Sequence, residues 1–447
     1  MDSGAARDML NRLFDAAVQV ALPDQCVPAH LPQGPKGRTV VIGAGKAAAA
    51  MARAVEAHWN QRGKGELQGV VVTRYGHTAP TQRIEVLEAG HPVPDAAGVA
   101  ASRRILQAVQ GLSSEDLVLC LISGGGSALL TLPASGITLS DKQIVTERLL
   151  HCGASIGEIN CMRKHLSAIK GGRLVAACHP ARVVALIISD VAGDDLSVIA
   201  SGATAADPTT YADARAVVDT YGLEVPRAVR DLLDREADES PKPGDPRLGG
   251  VENVLIATPR LSLDAAADMA RNAGYEVLNL GDLIEGEARD IAVEHAALVH
   301  QIVNHKKPVR PPVVILSGGE ATVTFEQASG EQTSGERAGG RALTGRGGPN
   351  TEYLLALAQE LNGLPGVAAI ACDTDGIDGS ENNAGAMVFP DTLARARAAG
   401  LDADACLDAH DAYTFFDGLG DLVISGPTLT NVNDFRAIVI EGGAEGE

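Results

Sequence analysis

The sequence has few aromatic side chains: Phe, Trp and Tyr make up 3% of its 447 residues, and there is one Trp. A core with so few rings must be built from Ala, Val, Leu and Ile. Hydrophobic residues reach 45%, so burial can offset chain entropy. That composition suits buried parallel strands covered by Ala-rich helices. Cysteine pairing is also missing. The seven cysteines are scattered, odd in number and without a CxxC, which reads as free thiols in a reducing cytoplasm. No apolar run reaches membrane-spanning length. The start, with Asp2, Arg7, Asp8, Arg12 and Asp15 among apolar residues, is an amphipathic helix pattern and not a signal peptide. Positive charge is in deficit as well. The formal net charge of -20 argues against nucleic acid as a partner. An acidic protein that binds anions must gather its Lys and Arg locally.

Glycine, by contrast, is abundant at 50 residues, and it clusters at a few places. Such clusters mark tight turns or close backbone approach to a ligand. The length predicts two domains. Short apolar runs at 39–42, 69–73, 116–122 and 182–188 read as strands, with helices predicted at 5–22, 96–110, 141–152 and 156–176. That alternation predicts a parallel sheet covered on both faces. A stretch rich in charge, Pro and Gly at 235–251 is the best domain boundary. The expectation is a domain over 1–240 and a second over 250–447. Beyond the boundary, strands are expected at 253–257, 276–280, 312–316 and 367–372, and helices at 262–274, 285–305 and 350–361.

Four loops at strand ends could carry chemistry. Gly43-Ala44-Gly45-Lys46-Ala47-Ala48 matches G-x-G-x-x-A between a strand and a helix, the dinucleotide fingerprint. The next strand ends at Thr73-Arg74 with no acid to hold a ribose, and Lys46 could meet a phosphate. Ser123-Gly124-Gly125-Gly126-Ser127 can point several backbone N–H groups at an anion, with the positive end of the following helix behind it. Ser189-Asp190, followed by Asp194 and Asp195, puts carboxylates where open α/β sheets bind ligands; they could hold Mg²⁺ or orient a hydroxyl, or simply cap helices. Asp373-Thr374-Asp375-Gly376-Ile377-Asp378-Gly379 lacks calcium-loop spacing, which leaves a substrate or Mg²⁺ role for Asp375 and Asp378 beside plain turn formation. Ser317-Gly318-Gly319-Glu320 echoes the second loop. His91 lies between Gly90 and Pro92, as a ligand contact or a turn residue. Arg163, Lys170 and Arg173 fall on one predicted helix, with Arg163 and Lys170 on a shared face. Arg341 and Arg346 lie in a glycine-rich loop before the late helix.

In this order, GAGKA, AGHPVPD, SGGGSALL, MRKHLSAIKGGRL, SDVAGDD, SGGEATVT, CDTDGIDG and GDLVISGPTLTNVND occur along nearly the whole chain. Together they resemble the class II glycerate kinases, the glycerate 2-kinase family with a C-terminal MOFRL domain, whose members often carry the label hydroxypyruvate reductase. The resemblance implies a Rossmann-like parallel-sheet N-terminal domain, a smaller α/β C-terminal domain including a MOFRL region over about 310–440, and a cleft between them. It implies transfer of a phosphoryl group from ATP, with Mg²⁺, to the 2-hydroxyl of D-glycerate. Lys46 and Asp190 match the family's lysine and aspartate. The family's late arginine falls on Pro349, so Arg346 or Arg341 would supply that charge.

The expected catalytic set is therefore Lys46, Asp190 and Arg346. ATP would be held by Gly43, Gly45, Ser123, Gly124, Gly125, Gly126, Ser127, Gly318, Gly319 and Glu320. Glycerate would meet His91, Arg163, Lys170, Arg173, Asp375 and Asp378, and Asp190 with Asp194 would take Mg²⁺. Phosphoryl transfer asks mainly for positioning and charge stabilisation, which this set offers. Two alternatives stay open: an NAD(P)H-dependent hydroxypyruvate reductase and a non-catalytic nucleotide-binding module. Small molecules are the expected partners, a homodimer is left open, and a membrane is not expected.

Overall fold

In a computed structural model of the chain, residues 3–62, 66–324 and 345–442 are described. They form two compact units. One comprises residues 21–258 and 429–432; the other comprises residues up to 20, 259–428 and those from 433 onward.

The first unit is built on six parallel strands: β1 (Thr39–Ala44), β2 (Leu67–Arg74), β3 (Ile84–Ala89), β4 (Leu117–Ile122), β5 (Arg182–Ile188) and β6 (Val251–Ala257). Their order is β3-β2-β1-β4-β5-β6. The strands are short apolar runs because both faces are covered, and alternate residues enter separate cores. Val40, Ile42, Val118, Cys120, Val183 and Ala185 join Ala101 and Ile105 of the helix Ala96–Ala108. Val41, Leu119, Leu121, Val184 and Leu186 join Met51, Val55 and Trp59 of the helix Ala48–Arg62. The shortage of rings costs little here, because Ala47, Ala48 and Ala52 let that helix lie close to the sheet.

The second unit carries β7 (Glu276–Asn279), β8 (Ile284–Glu287), β9 (Val313–Thr322), β10 (Val367–Asp373), β11 (Gly385–Val388), β12 (Leu422–Val423) and β13 (Asp434–Ile440). The order is β12-β11-β10-β13-β9-β7, with β8 also on β9. It is a mixed sheet: β13 runs antiparallel to both β9 and β10, whereas β7 runs parallel to β9. The helices Ala288–His305 and Pro349–Leu361 share its core.

Several elements differ from expectation. The helix predicted over 156–176 stops after Ile156–His165 and resumes only at Arg173–Ala176. Gly171 and Gly172 between them have φ of 58° and 78°, and Ser167 Oγ takes the N–H groups of Ile169 and Lys170. Lys170 is thus not on a helix, and it shares no helical face with Arg163. The helix predicted from 285 begins with β8. β9 does not end before Ser317-Gly318-Gly319-Glu320 but runs through it, because Gly319 lets β8 pair closely: a Cβ there would lie 2.1 Å from the Ile284 carbonyl oxygen. β6, expected to open the second domain, pairs with β5 and completes the first sheet. The N-terminal helix Ser3–Ala21 joins the second unit, where Arg7 pairs with Asp421 at 2.6 Å.

Gly43 has a steric task within the sheet. A Cβ on it would lie 2.2 Å from the carbonyl oxygen of Leu121 on β4. Forcing β1 and β4 apart costs at least the roughly 1–3 kcal/mol of an overpacked core. Gly43→Ala should lower Tm by about 5 °C or more. The melt can be followed by the emission of Trp59, the only tryptophan in the chain and 1% exposed. An unchanged Tm would show that the strands have room to part.

Candidate active site

Strand order reverses between β1 and β4, so the loops leaving their C-terminal ends diverge and open a crevice. Gly45-Lys46 follows β1, Ser123-Gly124-Gly125 follows β4 and Ser189-Asp190 follows β5. The first two loops are bonded to each other. Ser123 N–H donates to Ala44 O at 3.1 Å and Lys46 N–H to Gly124 O at 2.8 Å. Ser123 Oγ accepts from Ala47 N–H at 2.9 Å and is fully buried. A Cβ on Gly45 would lie 2.1 Å from that oxygen. Gly43, Gly45 and Ser123, expected to touch nucleotide, brace the loops.

Gly124 and Gly125 sit where charges meet. A Cβ on Gly124 would lie 2.2 Å from Asp190 Oδ2 and 2.3 Å from Asn431 Nδ2; one on Gly125 would lie 3.0 Å from the His91 ring and 3.3 Å from Lys46 Cγ. Asn431 Nδ2 donates to Asp190 Oδ2 at 3.0 Å. A carboxylate with its amide donor therefore stands on one glycine, and a lysine and a histidine on the next. Gly125 has φ 79°, a left-handed conformation that suits glycine. The helix after the loop, Gly126–Leu129, has only four residues, so the positive helix end expected behind the cradle is minor. Gly126 is closed off by Ala200, and Ser127 Oγ shares a hydrogen bond with Ser201 Oγ at 2.9 Å. Asp194 lies in a short 3-10 turn, Ala192–Asp194, beyond Asp190.

A cavity of about 570 Å³ adjoins the cradle, lined by His91, Gly125 and Ser127. Arg163 and Lys170 reach it from separate elements. Lys170 is 2% exposed, and its Nζ donates to Ser127 O at 2.6 Å. Burial drives its pKa well below the ordinary lysine value, helped by the charges of Lys142 and Arg163. Arg173 does not join this group. It donates to the Asp238 carbonyl at 2.6 Å and pairs with the Asp238 carboxylate.

The remaining expected residues belong to the second unit. Asp378 is a helix cap: its carboxylate accepts from the N–H groups of Asn350 and Thr351 at 3.0 and 2.9 Å, at the start of Pro349–Leu361. Pro349, where the family's arginine was expected, takes the first helical position, which suits its missing N–H. Asp375 Oδ1 accepts from Ile377 N–H, a turn bond. Gly318, Gly319 and Glu320 lie within β9. Arg346 makes a two-pronged pair with Glu381 at 3.1 and 3.2 Å and stacks on Tyr413. Arg341 lies outside the described residues. Asn431 and Lys142 were not singled out from sequence. Asn431 lies inside the GPTLTNVND motif, but nothing local to that motif shows that it reaches Asp190.

Asp378 gives a pH signature. Burial raises its pKa from 3.8 to about 6 against the pull of its hydrogen bonds, and Asp434 adds to the rise. The folded state then binds this proton more tightly than the unfolded state. The stabilisation is complete below about pH 4 and fades as pH rises through about 6. Urea midpoints taken across pH 4–7 should show this downward component in the wild type and lose it in Asp378→Asn. Parallel pH profiles would mean that Asp378 titrates normally.

The domain of unknown function DUF4147 matches residues 9–234, and the MOFRL family matches residues 313–434. A protein of Agrobacterium vitis with the provisional name hydroxypyruvate reductase is 53% identical, over 98% of this chain and 95% of its own. The glycerate 2-kinase of Pyrococcus horikoshii is 38% identical, over 91% of this chain and 88% of its own. The crystal structure of glycerate kinase from Thermotoga maritima superposes with a TM-score of 0.84 at 35% identity, covering 98% of this chain and 100% of that one. The chain belongs to the glycerate 2-kinase family with a C-terminal MOFRL region.

Proposed function

We propose that this protein transfers the terminal phosphoryl group of ATP to the 2-hydroxyl of D-glycerate, giving ADP and 2-phosphoglycerate. One observation carries the reading: Lys46 and Asp190 flank the two adjacent glycines Gly124 and Gly125. Phosphoryl transfer needs a cation for the charge that spreads over the moving group, and an acceptor for the hydroxyl proton. Lys46 neutralises the transferring group. Asp190, oriented by Asn431, aligns the attacking hydroxyl and takes its proton. Backbone N–H groups of the Gly124–Gly125 turn bind phosphate oxygens, and His91 closes the same side. Arg346 stays outside this proposal because Glu381 already occupies its guanidinium fork.

Magnesium that travels with a nucleotide is usually held by one or two protein carboxylates, with phosphate oxygens and water filling the remaining positions. No group of three or more metal-binding side chains occurs among the described residues, so a cage made by protein alone does not fit. Asp190 and Asp194 fit the nucleotide-borne case. The ion, when bound, offsets phosphate charge.

Hydroxypyruvate reduction is the second reading, favoured by the name of the Agrobacterium relative and by the strand order, which is that of dinucleotide-binding sheets. Against it, β2 ends in Thr73-Arg74, and Thr73 Oγ1 donates to the Lys46 carbonyl. The end of β2 itself supplies no acid for a ribose, and the neighbouring Glu88 and Asp95 already accept from Gly76 N–H and Tyr75 OH. Purified protein with MgATP and D-glycerate should form ADP, with a new phosphomonoester resonance at the 2-position by phosphorus NMR. NADH consumption with hydroxypyruvate, without ADP formation from glycerate, would replace the kinase reading with the reductase.

Lys46→Ala should reduce kcat by about a hundredfold or more, as loss of a charge partner in the transition state does. Asp190→Asn should reduce it by about 10²–10⁴-fold, the range for a lost general base. Near-normal turnover in either variant would remove that side chain from the chemistry.

A further inference from the structure

The cavity beside the cradle has a third cation in its wall. Lys142 lies on the helix Leu139–His151 and is 7% exposed. Its Nζ is buried with no hydrogen-bond partner among the described residues. Arg163 and Lys170 line the same cavity. Among the described residues none of the three forms an ion pair with Asp or Glu, and Lys170 Nζ meets only the neutral oxygens of Ser127 and Ser201. The contrast with Lys164 is informative. That neighbour of Arg163 is equally buried, and it is bonded to Asp207 at 2.6 Å. Where this fold buries a cation for structure, it supplies a carboxylate. Burying unpaired charge is costly unless an opposite charge arrives.

We propose that Lys142, Arg163 and Lys170 form a polyphosphate subsite that holds the non-transferred phosphates of a nucleoside triphosphate. The phosphate chain runs past Gly125 to Lys46, and the nucleoside lies against the apolar wall of Pro92, Val93, Leu139 and Leu150. This assignment rests on the ATP-dependent reading above. Two arguments favour polyphosphate over the carboxylate of glycerate. A monocarboxylate has one negative charge to share among three basic side chains, whereas a polyphosphate has enough to engage all three. The cavity, about 570 Å³, lies within the roughly 300–1,000 Å³ of pockets for drug-sized ligands and far exceeds a three-carbon acid.

The subsite also makes binding proton-linked. Burial, then the charge of Arg163, pushes Lys142 down to about 7. The titratable and charged groups facing it are His91 from the loop after β3, Glu147 and His151 from its own helix, Arg163 from Ile156–His165, and Lys170. Glu147, the one carboxylate of the wall, is exposed and screened by water. An arriving polyphosphate raises the lysine pKa, so a proton is taken up, and affinity falls as pH rises through and above 7.

The test uses ADP as the probe, with titration calorimetry in two buffers of different ionisation enthalpy between pH 6 and 9. Wild-type protein should take up a fraction of a proton at pH 7–8 and bind more weakly at pH 9. Lys142→Met should weaken ADP binding at least about tenfold and raise KM for ATP similarly, with KM for D-glycerate within about twofold. Lys142→Arg should restore affinity but reduce the proton uptake. The Trp59 melt of Lys142→Met should be no lower than that of the wild type, because an unpaired buried amine is removed. Unchanged ADP affinity in Lys142→Met overturns the subsite. A rise confined to the KM for glycerate assigns the cations to the carboxylate and overturns it too. Failure of the kinase reading looks different: the wild type would make no ADP from ATP and glycerate, while the lysine variants would still change ADP binding.

Discussion

The site depends on how closely β1 lies against its neighbours. A Cβ on Gly43 would meet Leu121 O at 2.2 Å, one on Gly45 would meet Ser123 Oγ at 2.1 Å, and one on Gly69 of β2 would meet Val41 O at 2.0 Å. No side chain fits at these positions, so the backbones approach until the loops bond to each other through Lys46 N–H and Gly124 O. That contact fixes where Lys46 leaves the sheet, and the register of β5 on β4 brings Asp190 against Gly124. The glycine-rich fingerprint thus serves first as packing. The same packing puts a lysine and an aspartate on either side of one turn.

Charge is divided by the same logic. The chain carries a net -20, yet the cavity beside the cradle is walled by cations. The nearby buried carboxylate is committed elsewhere, Asp207 to Lys164, and Asp238 is taken by Arg173; the one carboxylate in the wall, Glu147, is exposed. A site that binds anions in an acidic protein needs this separation. A buried carboxylate near Lys142 or Lys170 would compete with the ligand in a medium where such pairs are strong.

Topology alone does not separate the two activities attached to the chain's relatives. The order β3-β2-β1-β4-β5-β6 serves dinucleotide enzymes well, and the loop after β1 has the matching glycines. The difference lies in single side chains. Arg74 stands at the end of β2 where a nicotinamide enzyme would place an acid, and Lys46 occupies the turn. Fold similarity therefore carries the architecture, and the local residues carry the chemistry.

The parallel first sheet and the loops at its strand ends are legible in the sequence. Apolar runs of strand length, glycines after them and polar residues next to those glycines are local signals, and each is fully present in a few consecutive residues. Only the tertiary structure decided which loops meet and which polar groups are already satisfied. Ser123, Asp378, Arg173 and Arg346 looked like ligand contacts, yet each has found a partner within the protein. Asn431 lies 241 residues from Asp190 in sequence and reaches it only through the fold. Lys142, within a helix predicted at 141–152, was not singled out in the sequence. It is buried in the wall of the cavity that Arg163 and Lys170 also line, and Lys170 bonds Ser127 O just before the break at Gly171-Gly172. Desolvation and pairing are properties of the packed molecule, so no local pattern in the chain could show them.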